Sequence, residues 1–146
     1  MRTESNSGSK WRESIRAGFP ELDEERKNVI ALIDLLEVRP LYSIASEDFF
    51  NRFTLVQAAV ERFIECEEIL LQDFPVDDET IRLHLADHER IRAMLRRIRE
   101  DSMRKKNQTA IDVYKSLRNV IDKHVRTFAM ETHKPPPLAD PAPGAF

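Results

Sequence analysis

The sequence predicts an all-α protein, an up-down-up-down four-helix bundle preceded by an N-terminal arm. Three observations lead to this prediction. Apolar residues recur every three or four positions in four segments of the chain, which is typical of amphipathic helices. Prolines and short polar turns separate these segments, and no stretch shows the strict alternation of a β-strand. Short connections place consecutive helices antiparallel, as in a bundle.

The composition limits the class of protein and its partners. The 146 residues are enough for one domain with one buried core. Charged residues make up 34% of the chain, which suits helices with solvated outer faces. The formal net charge is only −3 and no long basic block occurs, so we expect no nucleic-acid partner.

The sequence also predicts a soluble, cytoplasmic protein. No apolar run approaches the roughly 18 residues that span a membrane, so no membrane association is expected. The polar N-terminus lacks the apolar core of a signal peptide. A single cysteine excludes an internal disulfide and fits a reducing compartment.

The chain divides into a polar terminus, a helical domain and a tail. Residues 1–10 are predicted to be disordered and residues 135–146, rich in proline, to form a flexible tail. Residues 11–134 form the bundle domain, which opens with an apolar arm that ends at Pro20. The first helix has acidic residues in its first turn and runs to about Leu36, before a proline ends it.

Three more helices follow the first. The second runs from an N-cap at Ser46 to Phe74, and the third covers approximately residues 79–104. After the polar turn of residues 105–108, the fourth covers about residues 109–132. The residues predicted to face the core are Leu22, Val29, Ile33 and Leu36, then Phe49, Phe53, Val56, Val60, Phe63, Glu67, Leu70 and Phe74, then Ile81, His84, His88, Ile91, Leu95 and Ile98, and finally Ala110, Tyr114, Leu117, Ile121, His124, Phe128 and Glu131.

Three histidines on these core-facing stripes indicate a metal site. His84 and His88 are four residues apart and project from one face of the third helix, while His124 lies on the fourth. A buried imidazole needs partners for both ring nitrogens, and a metal ion takes one nitrogen from each ring. The alternative is that each histidine is an ordinary core residue bonded to a neighbouring helix. His133, near the end of the fourth helix, is expected to be exposed and without a role.

A fourth ligand is sought on the second helix, where two neighbouring residues qualify. Cys66 lies on the flank of the apolar stripe; it is either a small buried hydrophobe or a thiolate ligand that favours zinc or copper. Glu67 lies near the centre of the stripe, where a carboxylate needs a metal, an arginine or a proton. Glu131 on the fourth helix is a weaker candidate, and the choice between Cys66 and Glu67 stays open.

Several stretches of the chain are similar, in order, to the motifs of one family. Trp11 and residues 18–26 match its opening motif. Residues 62–70 match the second-helix motif His-Phe-x-x-Glu-Glu-x-x-Met, the pair His84 and His88 matches the third-helix histidines, and residues 124–129 match His-Ile-x-x-x-Asp. On these motifs, the chain from Trp11 to about Glu131 resembles the bacteriohemerythrins, bundles that hold a di-iron centre and bind oxygen reversibly.

The departures from the family pattern all fall on one half of that centre. In the family, the histidines that match His84, His88 and His124 bind one iron, and all three are present. The histidines of the second iron are replaced by Arg26 and Arg62. The two bridging carboxylates fall at Cys66 and Ala129.

These departures predict at most one metal ion. Anionic bridges offset the repulsion between two neighbouring cations, and arginine stays protonated and cannot act as a ligand. The resemblance implies that oxygen binding needs both irons, so we expect that the chain is not an oxygen carrier. Arg26 and Arg62 either extend to solvent or turn inward, in which case Glu67 or Glu131 would be the counter-charge.

Three functions are compatible with this sequence. The first is a divergent hemerythrin-like protein that binds a single iron or zinc ion through three histidines and acts in sensing, regulation or metal binding. The second is a metal-free bundle that serves as an interaction or structural module. The third is an enzyme, since three histidines with one open position are also typical of catalytic zinc, but no acid, base or nucleophile can be placed beside them. A protein partner or a homodimer is compatible with the sequence, although no apolar stripe demands one.

Overall fold

The computed structural model describes residues 20–37, 42–73 and 75–128. Within these ranges the chain forms four α-helices, α1 (Pro20–Asp34), α2 (Glu47–Asp73), α3 (Asp78–Met103) and α4 (Ala110–Thr127), and a single 3-10 turn, Leu35–Glu37, extends α1. The predicted arm, the tail and the residues Phe74, Ala129, Glu131 and His133 lie outside the described residues.

The four helices pack around one core. α1 packs against α2 and α4, and α3 packs against the same two helices, so that each helix has two main neighbours. The connections between consecutive helices are short, as the sequence predicted. The prediction of an all-α four-helix bundle is confirmed.

Side-chain caps determine where two of the helices begin. The hydroxyl of Ser46 accepts the backbone N–H of Phe49 at 3.0 Å, which confirms the predicted cap of α2. α3 begins one residue earlier than predicted, because the carboxylate of Asp77 accepts the backbone N–H of Thr80 at 2.7 Å.

Backbone pairing ties together the two loops at one end of the bundle. The N–H of Ile44 donates to the carbonyl of Gln108 at 2.9 Å, and the N–H of Ala110 donates to the carbonyl of Tyr42 at 2.8 Å. Lys105 adopts a left-handed conformation (φ 59°) in the turn that leads into this pairing. The N-termini of α2 and α4 are therefore held side by side.

The core follows the predicted stripes closely. Nearly all the predicted apolar positions among the described residues are buried, with stacked rings of Phe49 and Phe53 whose centroids are 5.8 Å apart. Ile81, Tyr114 and Phe128 are only half-buried, and several apolar residues outside the predicted stripes are buried as well. None of the described helices is long and apolar enough to cross a membrane.

The core becomes polar towards the other end of the bundle, where α2 and α4 finish and α3 begins. Glu67, His84, His88 and His124 lie there, each at most 2% exposed. Burying so many polar groups in one place is unfavourable unless they satisfy one another or a ligand.

Candidate metal centre

Three helices supply the four polar side chains. Glu67 comes from the second half of α2, His84 and His88 from the first turns of α3, and His124 from the last turn of α4. Because α3 runs antiparallel to α2 and α4, these segments meet at the same level of the bundle. The i, i+4 spacing on α3 directs both of its imidazoles to the same point.

The three imidazoles converge on a single carboxylate oxygen. The Nε2 atoms of His84, His88 and His124 lie 3.0, 2.8 and 2.8 Å from Oε1 of Glu67. One ligand atom from each of the four residues lies within 4.8 Å of every other. Neighbouring donors around a tetrahedral zinc are about 3.3 Å apart, as follows from bonds of roughly 2.0–2.1 Å. The four residues could therefore hold a metal ion.

Two of the imidazoles have a second carboxylate on their outer nitrogen. Nδ1 of His88 lies 2.8 Å from Oε2 of Glu68, and Nδ1 of His124 lies 2.6 Å from Oδ2 of Asp87. A carboxylate only accepts, so a hydrogen bond to Glu68 or Asp87 requires the proton on Nδ1, although Nε2 of the same ring also faces a carboxylate. In the neutral ring, Nε2 is then left with a lone pair that points towards Glu67. This carboxylate–histidine arrangement is typical of metal ligands.

Lone pairs that face one another need a positive charge between them. If protons supplied that charge, His88 and His124 would both be imidazolium ions in the core, with ring centroids 5.1 Å apart. Neighbouring buried cations repel each other strongly. One metal ion satisfies the three Nε2 atoms and the Glu67 oxygen together, so the donor set fits a metal.

The surroundings of the centre also shift the pKa values of Glu67 and His124. Burial alone would raise the pKa of Glu67, but the contacts with His124, His84 and His88 outweigh it and hold that pKa well below its usual range. Burial alone would lower the pKa of His124, but its bonds to the Glu67 and Asp87 carboxylates raise it. In the metal-free protein, where protonated rings donate to it, Glu67 is therefore in its carboxylate form.

Aromatic rings enclose the histidines. The ring of Phe128 stacks on that of His84, with centroids 4.5 Å apart and planes inclined by 17°. Phe63 meets His124 edge-on, with centroids 6.1 Å apart. These contacts restrict the rotation of both imidazoles and keep their Nε2 atoms directed at Glu67.

The structure separates the two candidates for the fourth ligand. Glu67 lies among the histidines, whereas Cys66 belongs to the apolar core and not to the group of four. Burial, with a smaller contribution from the neighbouring Glu25 and Glu67 carboxylates, raises the pKa of the Cys66 thiol to about 12. Consecutive helical residues point about 100° apart, which explains why only one of the two reaches the centre.

Two arginines, which the family resemblance sets at the positions of histidines, pair with acids of α1. A guanidinium nitrogen of Arg62 lies 3.0 Å from Glu25, whose side chain is 11% exposed, and the Arg62 side chain itself is 52% exposed. Arg26 pairs with Asp23 at 2.7 Å. We had expected Glu67 or Glu131 as the counter-charge of an arginine that turns inward, but Glu25 fills that role for Arg62, and Glu131 lies outside the described residues.

Sequence reasoning missed Glu68 and Asp87, the outer partners of the histidines. The only signal was their position, because each directly adjoins a residue of the centre, Glu67 or His88. Such acids are abundant on solvated helix faces, and their pairing with His88 and His124 depends on how the helices pack.

No family model, curated protein or solved structure matches this chain.

Proposed function

We propose that the chain binds a single metal ion, iron or zinc, through Nε2 of His84, His88 and His124 and the carboxylate of Glu67. The observation that supports this most strongly is the convergence of three Nε2 atoms on one buried carboxylate oxygen, at 2.8–3.0 Å. The outer carboxylates of Glu68 and Asp87 add to it, since they orient two of the rings.

The donor set narrows the choice of metal. Three imidazoles and one carboxylate suit both zinc and iron. With Cys66 outside the group, no thiolate shifts the preference towards copper. Four protein donors are typical of structural zinc sites, whereas catalytic sites keep a position for water. We therefore rank a metal ion that stabilises the fold, in a sensing or regulatory protein, ahead of a catalytic metal ion.

The proposal excludes reversible oxygen transport of the hemerythrin type. That activity would need a second iron beside α1, where the family resemblance places Arg26, Arg62 and Cys66. The pair between Arg62 and Glu25 and the apolar surroundings of Cys66 support this exclusion. A cationic guanidinium disfavours a second metal ion nearby.

A metal-free bundle that acts as an interaction or structural module is the second candidate. It is favoured by one observation, that the 2.8–3.0 Å contacts of Glu67 also fit hydrogen bonds from protonated histidines. On this reading the raised pKa of His124 reflects a real charge in the core.

Metal analysis separates the two candidates. The protein, purified without added metal, is expected to carry about one ion per chain, as a four-donor site binds one ion. His88→Ala is expected to lose it, while His133→Ala, at a position outside the described residues, is expected to keep it. Absence of metal even after incubation with ferrous iron or zinc would exclude the metal centre. Two irons per chain with an oxo-bridge absorption would contradict the single-ion site.

A further inference from the structure

A groove runs between α3 and α4 and reaches the outer side of the candidate metal centre. Its volume is about 500 Å³, and Asp87 and His124 form its inner end. Pockets that bind small molecules have volumes of roughly 300–1,000 Å³. The groove is therefore large enough for a small ligand.

The groove has an apolar floor and a cationic rim. The half-buried side chains of Met94, Val120 and Phe128 form the floor, and polar groups of the exposed residues Arg90, Asn119 and Lys123 form the rim. The Arg90 side chain is 70% exposed and is bonded to Asp87. Lys123 is exposed and is paired with no carboxylate within residues 20–37, 42–73 and 75–128. The rim thus carries more positive than negative charge.

We propose that this groove binds a small organic carboxylate. Its charge would lie between Arg90 and Lys123, and its apolar body would cover Met94, Val120 and Phe128. A bare inorganic anion would leave the floor exposed, and an uncharged apolar molecule would leave Lys123 without a counter-charge. The proposal adds a ligand site to the metal centre and does not depend on it.

A chain of hydrogen bonds connects this site to the centre. Arg90 donates to Oδ1 of Asp87 at 2.6 Å, and Oδ2 of the same carboxylate lies 2.6 Å from Nδ1 of His124. A ligand carboxylate would share the charge of Arg90, and Asp87 would then be a stronger acceptor for the His124 proton. His124 would become a better metal donor, and a bound cation would also attract the anion.

The ligand and the metal are therefore expected to strengthen each other's binding, since such coupling is reciprocal. This coupling rests on the proposed metal function, whereas the binding of the carboxylate does not. The two are tested separately.

The first test uses the full-length protein in the metal-free state, with benzoate as the probe and amide NMR as the readout. Benzoate is expected to shift the signals of Asn119, Lys123 and Thr127. Arg90→Gln and Lys123→Gln are each expected to weaken binding about threefold, the scale of an exposed ion pair. Arg96→Gln, exposed on the same helix and outside the groove, is expected to leave the affinity unchanged.

Two matched probes test the chemistry of the ligand. Phosphate lacks the apolar body, and benzyl alcohol lacks the charge, so both are expected to bind more weakly than benzoate. No shift at the groove, or unchanged affinity in both Arg90→Gln and Lys123→Gln, would overturn the site. Binding of either matched probe as tightly as benzoate would overturn the assignment to an organic carboxylate.

The second test measures the coupling. Zinc affinity, determined by competition with a chromophoric chelator, is expected to rise about fivefold at saturating benzoate. Arg90→Gln is expected to abolish this increase. An unchanged zinc affinity would contradict the coupling and leave the carboxylate site standing. A protein that binds no metal would overturn the proposed function, and the metal-free titration would still decide the groove.

Discussion

Oε1 of Glu67 lies 2.8 Å from Nε2 of His124, although the two residues are 57 positions apart in the chain. They belong to α2 and α4, which are joined to each other only through α3 and its connections. The contact therefore exists only when the helices have closed around the core. A proton or a metal ion shared by these atoms would contribute to that closure.

The charge of Glu67 is expected to be essential for metal binding. Glu67→Gln keeps the shape of the side chain but removes its charge, so zinc affinity should fall by more than the roughly 10–100-fold typical of losing an outer partner. Competition with a chelator measures the change. Glu61, like Glu67, lies on α2, but it is exposed and pairs with Arg92. Glu61→Gln therefore provides the comparison and should keep the wild-type affinity. Wild-type affinity in Glu67→Gln would show that the fourth donor is not Glu67.

The outer carboxylates are expected to tune the centre without forming it. Asp87→Asn and Glu68→Gln each weaken the acceptor of an imidazole N–H, and each should lower metal affinity by about 10–100-fold. The four donors remain, so the absorption spectrum of bound cobalt(II) should keep its shape. Asp112→Asn, at an exposed position of α4, should change neither property. A changed cobalt spectrum would mean that the outer residues themselves enter the coordination sphere.

Metal-free and metal-bound protein are expected to respond to pH in opposite directions. The pKa of His124 is raised above 6.5 in the folded metal-free protein, so its contribution to stability is present below 6.5 and is lost as the pH rises through the folded pKa. The pKa of Glu67 is lowered and lies well below pH 6, so the contribution of Glu67 to stability stays constant from pH 6 upwards. Metal binding, by contrast, strengthens with pH because protons compete for the histidines.

Thermal unfolding between about pH 6 and pH 8, with EDTA or with zinc, measures both trends. The midpoint should fall with pH in EDTA and rise with pH in zinc. Parallel trends in the two conditions would contradict metal binding at the histidines.

Cys66 is expected to behave as a core residue. With a pKa of about 12 its thiol stays protonated and buried, so it should not react with a thiol reagent at neutral pH until the protein unfolds. Cys66→Ala should keep its metal and lose about 1 kcal/mol of stability, the usual scale for a small cavity. A metal-dependent change in thiol reactivity, or loss of metal in the variant, would restore Cys66 as a ligand.

Some of this molecule could be predicted from local patterns alone. The periodicity of residues such as Phe53, Val60 and Leu117 defines which face of each helix is apolar, and the cap at Ser46 marks a helix start. Both signals depend on residues a few positions apart. The placement of His84 and His88 on one buried face follows from the same helical periodicity, because residues four positions apart project from one face.

The sequence by itself thus determined the four-helix bundle and the inward direction of three histidines. Only the tertiary structure decided that Glu67 and not Cys66 joins them, that Glu68 and Asp87 support the rings, and that Arg62 pairs with Glu25. The physical reason is that helical periodicity is set within a few residues of the chain. Which polar atoms meet across the core depends on the rotation and level of helices that are distant in sequence.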